Sequence, residues 1–275
     1  MKTLFHWLAT WPLPLLHAFG AALGWVAFLA SPTYRRRFLA NAAQAGYPFA
    51  EVRPAVAAAG RLVAEAPRLW FGELPPVAWV DPELVERARA AGRGLLVLTP
   101  HQGSFESTAL AFAQRFGPIT VLYRPPRKAW LRGLVEGART RPNLTAVPTN
   151  LAGVRQLLRT LRAGGTVGLL PDQVPPQGMG AWAPFFGRDA YTMTLAARLV
   201  RQTGAAVVLM RSERLPGGAG FLVHVTAWPG EGPAEAPEAA AAQVNARIET
   251  LVRACPGQYL WGYARYKQPR HEDPA

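Results

Sequence analysis

The chain has 275 residues, of which 50% are hydrophobic, and it carries 30 Lys and Arg against 17 Asp and Glu, a formal net charge of +13. This length is enough for one large domain, and the charge indicates anionic partners such as nucleic acid, anionic lipid, phosphorylated substrates or an acidic protein. Nine Trp residues, without zinc-finger spacing or an aromatic RNA-binding signature, argue against nucleic acid and favour a membrane surface. The single cysteine, Cys255, excludes an internal disulfide and a cysteine metal cluster.

The N-terminal region contains an uncharged apolar stretch. Residues 13–30, LPLLHAFGAALGWVAFLA, include no Lys, Arg, Asp or Glu, and 18 residues is close to the minimum that spans a bilayer. Three arginines, Arg35 to Arg37, follow and oppose translocation, so the positive-inside rule keeps the rest of the chain in the cytoplasm. We therefore predict an uncleaved membrane anchor at residues 1–32 and a single α/β domain at residues 33–275.

A helix that lies in the membrane interface is the alternative to a spanning anchor. Pro12, Pro14 and His17 disfavour a spanning helix, and Trp residues at positions 7, 11 and 25 would suit the head-group region.

Beyond the anchor the pattern alternates between helix and strand. Residues 34–71 predict two helical segments separated by a turn at 46–48, and the three prolines within 74–82 predict a linker. The predicted strands are 95–99, 119–123, 145–148, 166–170, 205–211 and 220–227, and the predicted helices are 104–116, 126–138, 151–163, 191–203 and about 239–254. This alternation indicates an α/β sheet.

The stretch 95–106, LLVLTPHQGSFE, predicts a short buried strand that ends at a proline and leads into a catalytic loop. His101 and Glu106 would lie about 140° apart on one helix. They meet only if His101 stays in the loop, Gly103 makes a sharp turn and Ser104 caps the next helix. A carboxylate on one imidazole nitrogen leaves the other free to accept a proton. The alternative is a His101 that bonds only to backbone, with Glu106 complementing the helix dipole.

Two other strands are followed by polar residues that suit a site. In an open α/β sheet, sites form at the carboxyl ends of strands, and there Arg124 and Asp172 join His101. Residues 124–141 contain six basic residues against Glu136, which indicates either a phosphate-binding rim or a solvated basic helix face.

The aromatic residues in 181–192, AWAPFFGRDAYT, predict buried core with a turn at Gly187 before the next helix. If they lie beside a reactive His, Phe185 and Phe186 would instead line an acyl channel.

The motifs HQGSFE, YRPP, PDQ, FFGRDAYT and QYLWGYARYK, in this order after an apolar N-terminal stretch and arginines, carry a family resemblance. The chain resembles the bacterial lysophospholipid acyltransferase-like family that includes the lipid A biosynthesis lauroyl and myristoyl acyltransferases. The resemblance implies a glycerol-3-phosphate acyltransferase-like central sheet flanked by helices, with an N-terminal membrane-anchor helix. It also implies a bacterial inner-membrane location with the catalytic domain on the cytoplasmic side.

The resemblance further implies an activity. A fatty acyl chain would move from acyl carrier protein or acyl-CoA to a hydroxyl of a lipid A precursor or related glycolipid, without metal or cofactor. The family's His-x4-acid motif falls on His101 and Glu106, its arginine on Arg139 with Arg141 as the alternative, and its aspartate on Asp172. The chain has HQGSFE where the family often has an HFGNWE form, so it lacks the Trp.

Our hypothesis from these residues is direct transfer with His101 as base and Glu106 as its orienting carboxylate. Arg139, or the amides of Gly103 and Ser104, would face the oxyanion, and Asp172 would hold Arg139 or the loop. We predict that substrate is bound by Gly103, Ser104, Arg124, Arg141, Phe185 and Phe186.

Three alternatives stay open: transfer to another glycolipid or a lysophospholipid, a non-catalytic basic protein that binds membrane, and a hydrolase with Ser104 or Ser107 as nucleophile. The hydrolase is disfavoured because neither serine lies in a G-x-S-x-G elbow.

Overall fold

The computed structural model describes residues 2–123, 141–230 and 232–270. Its helices are α1 (Lys2–Ala9), α2 (Leu13–Ala30), α3 (Pro32–Gln44), α4 (Phe49–Val52), α5 (Pro54–Phe71), α6 (Glu83–Ala90), α7 (Phe105–Phe116), α8 (Leu151–Arg162), α9 (Leu195–Thr203) and α10 (Pro237–Ala254). Its strands are β1 (Val77–Val80), β2 (Leu95–Leu98), β3 (Ile119–Tyr123), β4 (Leu144–Pro148), β5 (Thr166–Leu169), β6 (Gly180–Phe185), β7 (Arg188–Met193), β8 (Ala206–Arg214) and β9 (Phe221–Ala227). The predicted helix 126–138 lies outside the described residues.

A mixed sheet flanked by helices forms the centre of the fold. The strand order is β1-β9-β8-β2-β5-β3-β4, and every neighbouring pair is parallel except β8 with β9. β2 and β5 are buried along their whole lengths, and β2, with the sequence LLVL, is accordingly a continuous apolar run and not an alternating pattern. The structure therefore confirms the predicted α/β class and the central sheet.

The register of the sheet aligns the ends of its central strands. Leu98 of β2 pairs with Leu169 of β5 on one side and with Leu209 of β8 on the other. β2 and β5 thus end at the same edge, where the loops that follow them are brought together, while β8 continues five residues beyond Leu209 to Arg214.

The predicted linker 74–82 is wrong, because it contains β1, which pairs with β9 from Val77 to Val80. Its prolines, at positions 75, 76 and 82, flank the strand and interrupt no hydrogen bond of the ladder. Helix α6, which follows, was not predicted, although its Val85 is fully buried.

The segment 181–192 forms a hairpin, and the prediction that a helix begins at residue 191 is wrong. β6 and β7 pair antiparallel, with Trp182 opposite Tyr191, and the turn at Gly187 is confirmed. The polar residues Arg188 and Asp189 are exposed at the start of β7, whose residues Ala190 to Thr192 are buried, and the helix α9 begins only at Leu195.

The N-terminal apolar helix α2 packs lengthwise on α5. Gly20 and Gly24 of α2 meet Gly60 of α5 so closely that a side chain on Gly60 would collide with the carbonyl oxygen of Gly20. Phe28, near the other end of α2, stacks on Phe49 and joins the main hydrophobic core. Leu13, at the first end of α2, packs in a buried cluster with Leu69 and Phe221, so both ends of α2 are held against the α/β domain.

Among the described helices, α2 has the length and composition needed to cross a membrane, and a third of it is buried. Its outward face, with the neighbouring part of α1, exposes large apolar side chains: Leu4, Trp7, Leu15, Phe19, Leu23, Trp25, Val26 and Leu29. We call this set the apolar face. Arg36 and Arg37 are exposed in α3, which follows α2 directly.

Candidate active site

His101 and Asp172 form the centre of the site. The Nδ1 atom of His101 lies 2.6 Å from Oδ1 of Asp172, and the His101 backbone N–H donates to Oδ2 at 2.9 Å. Asp172 is buried, whereas 18% of the His101 side chain is exposed. One carboxylate thus fixes both the main chain and the ring of His101, and the ring still reaches the surface.

The sheet register explains why these two residues meet. Leu98 and Leu169 are partners in neighbouring parallel strands, and each is followed three positions later by one of the pair, His101 and Asp172. Parallel neighbours that end together place the residues beyond them side by side.

The carboxyl group of Asp172 is held in its ionised form. Burial by itself raises its pKa, but the His101 charge, the two hydrogen bonds from His101 and the Arg265 charge outweigh burial and lower the pKa below its ordinary value. An ionised carboxylate accepts hydrogen bonds only, so Nδ1 of His101 carries the proton that is donated to Asp172, and Nε2 is the nitrogen that exchanges a proton with the substrate side.

A C-terminal segment lies behind Asp172. The buried Tyr259 hydrogen-bonds to Asp172, and burial followed by the negative charge of Asp172 raises the Tyr259 pKa well above its usual value. Arg265 is also buried and donates to Tyr191 O at 2.7 Å and to Thr192 Oγ1 at 2.6 Å. The motif QYLWGYARYK thus contributes two residues to the support of the site, a role that we did not predict from sequence.

The oxyanion role predicted for the Gly103 and Ser104 amides is wrong. The Gly103 N–H donates to Gln258 O at 2.8 Å, and the Ser104 N–H donates to Ser212 O at 2.9 Å. Gly103 has φ +56°, and a Cβ there would collide with the Ser212 carbonyl oxygen, so only glycine fits this close approach. These amides instead fasten the loop to its neighbours.

Ser104 precedes the first turn of α7 as predicted, but its side chain does not cap the helix. Its Oγ donates to Glu65 Oε1 at 2.7 Å. The Oγ of Ser107 bonds to Ser104 O and Ser212 Oγ. Neither hydroxyl is bonded to His101, which argues against a serine hydrolase.

Glu106 is not the carboxylate on Nδ1 of His101, since Asp172 holds that position. It lies partly buried in the first turn of α7, as predicted, and it has an interaction partner. The orienting role assigned to Glu106 on that nitrogen is therefore corrected to Asp172.

The predicted arginines fall into two groups. Arg124 and Arg139 lie outside the described residues. Arg141 donates to Leu69 O at 2.8 Å and to Gly72 O at 2.6 Å, where these carbonyls end helix α5, and burial lowers its pKa. Arg141 thus stabilises the C-terminal end of α5, and its role in the described structure is structural.

Phe185 and Phe186 are buried in the main core, 2% and 5% exposed, with ring centroids 4.8 Å apart. The prediction that these two phenylalanines belong to the buried core is therefore confirmed, in preference to the alternative that they line an acyl channel. A different apolar pocket lies beside His101, between α7 and the sheet. Its lining includes Thr99, Phe105, Phe112, Val121 and Gly168, and the Phe105 ring lies 4.8 Å from the His101 ring, centroid to centroid.

The model for bacterial lipid A biosynthesis acyltransferases matches residues 3–268. The chain belongs to this family. Its relatives include the lipid A biosynthesis palmitoleoyltransferase of Escherichia coli K12, 27% identical over 215 residues that cover 76% of this chain and 68% of the relative. The lauroyltransferase of the same organism is 26% identical over 186 residues, 67% of this chain and 60% of the relative.

A lipid A biosynthesis acyltransferase of Haemophilus influenzae is 24% identical over 181 residues, covering 65% of this chain and 55% of the relative. The chain is accordingly an acyltransferase. Within the part of the chain that the structure describes, His101 and Asp172 at the ends of β2 and β5 form a partly exposed histidine–carboxylate pair, an arrangement that general acid–base catalysis uses.

Proposed function

We propose that this acyltransferase moves a fatty acyl chain from an acyl thioester to a hydroxyl of a lipid A precursor, with His101 as general base and Asp172 as its orienting carboxylate. The observation that carries the proposal is the 2.6 Å contact between His101 Nδ1 and Asp172 Oδ1, in a chain of this family. The glycerol-3-phosphate acyltransferase-like arrangement, with the base at the end of a central strand, belongs to the same proposal.

The reaction needs no nucleophile from the protein, because a thioester is already activated. His101 Nε2 takes the proton of the acceptor hydroxyl as its oxygen forms a bond to the thioester carbonyl carbon. The tetrahedral intermediate then collapses, the carbon–sulfur bond breaks, and the leaving thiolate receives the proton back from the imidazolium. Asp172 stabilises that imidazolium, since its carboxylate remains charged throughout.

The oxyanion of the intermediate requires a donor other than the Gly103 and Ser104 amides, which are occupied. We assign this role to Arg139, on the resemblance alone, because a guanidinium can stabilise developing negative charge. Glu106 completes the His-x4-acid motif, and we place it near the acceptor as a polar contact.

The acyl chain, in this proposal, enters the pocket between α7 and the sheet. Phe105 touches the His101 ring, and Phe112, Val121 and Gly168 continue the apolar lining beneath it. An extended chain that begins at the reacting carbonyl would follow this lining, whereas Phe185 and Phe186 are already filled core.

Acyl carrier protein is the donor that the charge favours. The net charge of +13, with six basic residues between 124 and 141, would attract an extended acidic protein face. Changing Arg127→Glu together with Lys128→Glu should reduce transfer from the carrier-protein donor more than from acyl-CoA, and added salt should shrink the difference. Equal losses for both donors would assign the basic stretch to the acceptor phosphates instead.

The packing of α2 indicates how the protein is oriented at the membrane. Because α2 lies along α5 and is held at both ends, we propose that it rests in the plane of the membrane interface, with the apolar face in the lipid and Arg36 and Arg37 at anionic head groups. This favours the interfacial alternative over a spanning anchor. The location at the cytoplasmic side of a bacterial inner membrane is part of the same proposal.

The test is acyl transfer by the purified full-length protein in vesicles, with acyl carrier protein thioester as donor, a lipid A precursor as acceptor, and mass spectrometry of the product. The product should gain one acyl chain as an ester, and His101→Ala should lower turnover about 10²- to 10⁴-fold, as for the loss of a general base. A folded His101→Ala protein with normal transfer would refute the mechanism. Transfer to lysophospholipid but not to the lipid A precursor would refute the acceptor.

A further inference from the structure

A buried carboxylate outside the His101–Asp172 pair connects the catalytic loop with the N-terminal helix. Glu65 is fully buried in α5, and both of its oxygens are occupied. Oε1 accepts from Ser104 Oγ at 2.7 Å and from Arg214 Nη2 at 2.6 Å. Oε2 accepts from Arg214 Nε at 2.7 Å and pairs with His17 Nε2 at 2.8 Å.

The charge state of Glu65 fixes the direction of these bonds. Burial alone raises its pKa, but the Arg214 charge and the hydrogen bonds from His17, Arg214 and Ser104 outweigh burial and lower the pKa. An ionised carboxylate only accepts, so His17 Nε2 and Ser104 Oγ both donate to it. Four donors from three different parts of the fold therefore converge on one side chain.

The Arg214 partner ties the same carboxylate to the strand that supports the loop. Arg214 ends β8, two residues beyond Ser212, whose carbonyl oxygen accepts the Ser104 N–H. The backbone N–H of Arg214 donates to the side-chain oxygen of Gln258, and the backbone carbonyl oxygen of Gln258 accepts the Gly103 N–H. Glu65 thus holds Ser104 by a direct hydrogen bond. Through Arg214 it also supports Ser212 and Gln258, whose carbonyl oxygens accept the backbone N–H groups of the loop.

We propose that Glu65 is a positioning residue for acyl transfer: through Ser104 it sets the place of the loop that carries His101, and through His17 it ties that place to helix α2. This inference rests on the proposed function of His101. Asp172 orients the imidazole ring, and Glu65 fixes where the loop begins its turn into α7. Helix α2, which we place at the membrane, is thereby connected to the catalytic loop by two hydrogen bonds to the Glu65 carboxylate, one from His17 and one from Ser104.

The test uses the full-length protein in vesicles and compares Ser104→Ala with Ser107→Ala. Both serines are fully buried in or beside the first turn of α7, and both variants lose one hydroxyl, but only Ser104 is bonded to Glu65. Ser104→Ala leaves the Glu65–Arg214 pair whole, so the fold should survive. Misplacement of a catalytic group by 1 Å can cost about 10²-fold, so we expect kcat to fall about 10- to 100-fold with KM nearly unchanged. Ser107→Ala should lose much less.

A double-variant cycle supplies the second measurement. Glu65→Leu, which has no acceptor for the Ser104 hydroxyl, should also lower kcat, and the combined Glu65→Leu/Ser104→Ala protein should be no worse than the more affected single variant, because both changes break the same hydrogen bond. Multiplying losses would mean that Ser104 acts independently and would overturn the proposal. If Glu65→Leu does not fold, the contrast between Ser104→Ala and Ser107→Ala decides, and equal kcat values overturn the proposal.

The outcomes also separate this inference from the proposed function. An inactive His101→Ala protein with a fully active Ser104→Ala protein refutes the role of Glu65 and leaves the general base intact. A fully active His101→Ala protein refutes the general base itself.

Discussion

The Nδ1 atom of His101 lies 2.6 Å from Oδ1 of Asp172, although 71 residues separate the two in the chain. Asp172 also accepts the backbone N–H of His101, so the base is fixed by a residue from the neighbouring strand end. The carboxylate nearer in sequence, Glu106, does not hold that nitrogen. The choice between these two carboxylates gives the first prediction.

Asp172→Asn should reduce kcat/KM about 10²- to 10⁴-fold, because the amide cannot hold the Nδ1-protonated tautomer or stabilise the imidazolium. Glu106→Gln is the matched control, with the same loss of charge five residues after His101. Steady-state kinetics and circular dichroism of both proteins check this. A larger loss in Glu106→Gln than in Asp172→Asn would return the orienting role to Glu106.

The stability of the protein should depend on pH through Asp172. Its pKa in the folded state is lowered, so its stabilising contribution is complete above the unfolded-state pKa of about 4 and is lost as pH falls through the folded-state pKa. Asp172→Asn should be less stable than wild type at pH 7, and the difference should shrink below about pH 4. Urea unfolding of both proteins over a pH series measures this. A difference that does not change with pH would contradict the assignment.

Tyr259→Phe should lower kcat/KM about 10-fold, since a hydrogen bond to a charged group contributes about 1.5 to 3 kcal/mol. The lost bond is the one to Asp172, which then holds His101 less firmly. Tyr266→Phe is the control, because its hydroxyl donates to Phe185 O at 2.8 Å, within the core. Kinetics that fail to distinguish the two variants would mean that Tyr259 only fills space.

Gly168→Ala should shift the donor preference towards shorter acyl chains. A Cβ on Gly168 would lie 3.2 Å from Val121 Cγ1 and would occupy part of the pocket below Phe105. The measurement is kcat/KM for a series of thioester chain lengths, in which the shortest donor serves as the internal control. A uniform change across the series would place the acyl chain elsewhere.

Helix α2 should lie at constant depth in the membrane. Labels attached at Leu15→Cys, Phe19→Cys and Val26→Cys, in a Cys255→Ala background, report depth by quenching from spin-labelled lipids. Burial raises the pKa of the native Cys255 to about 11, which makes its thiol a poor nucleophile, and the Cys255→Ala background removes any remaining label at this position. An in-plane helix gives similar depths at the three sites, whereas a spanning helix separates Leu15 from Val26 by about 17 Å at 1.5 Å per residue. Such a gradient of depth would refute the proposal that α2 lies in the plane of the membrane interface.

Local patterns identified most of the sheet and the position of the base. The continuous apolar run before His101 predicted β2, and Gly103 and Ser104 predicted the turn into α7, because strand burial and turn chemistry depend on adjacent residues. The helix 151–163 followed in the same way from its leucine spacing and ends at Arg162.

Where local patterns were ambiguous, tertiary pairing decided. The proline-flanked segment 74–82 became a strand because β9 offers it a parallel partner, and 188–193 became a strand because β6 offers it an antiparallel one. Neither partner can be read from the segment itself, since strand stability depends on cross-strand neighbours.

The sequence by itself therefore determined the α/β class, the loop that carries His101 and the apolar N-terminal helix. Only the tertiary structure decided that Asp172 holds His101 and that Glu65 joins Ser104 to His17. The physical reason is that the order of strands in a sheet and the choice of helix partners bring distant residues together. A spacing such as H-x4-E describes only neighbours along the chain, whereas the register of β2 with β5 places Asp172 beside the base.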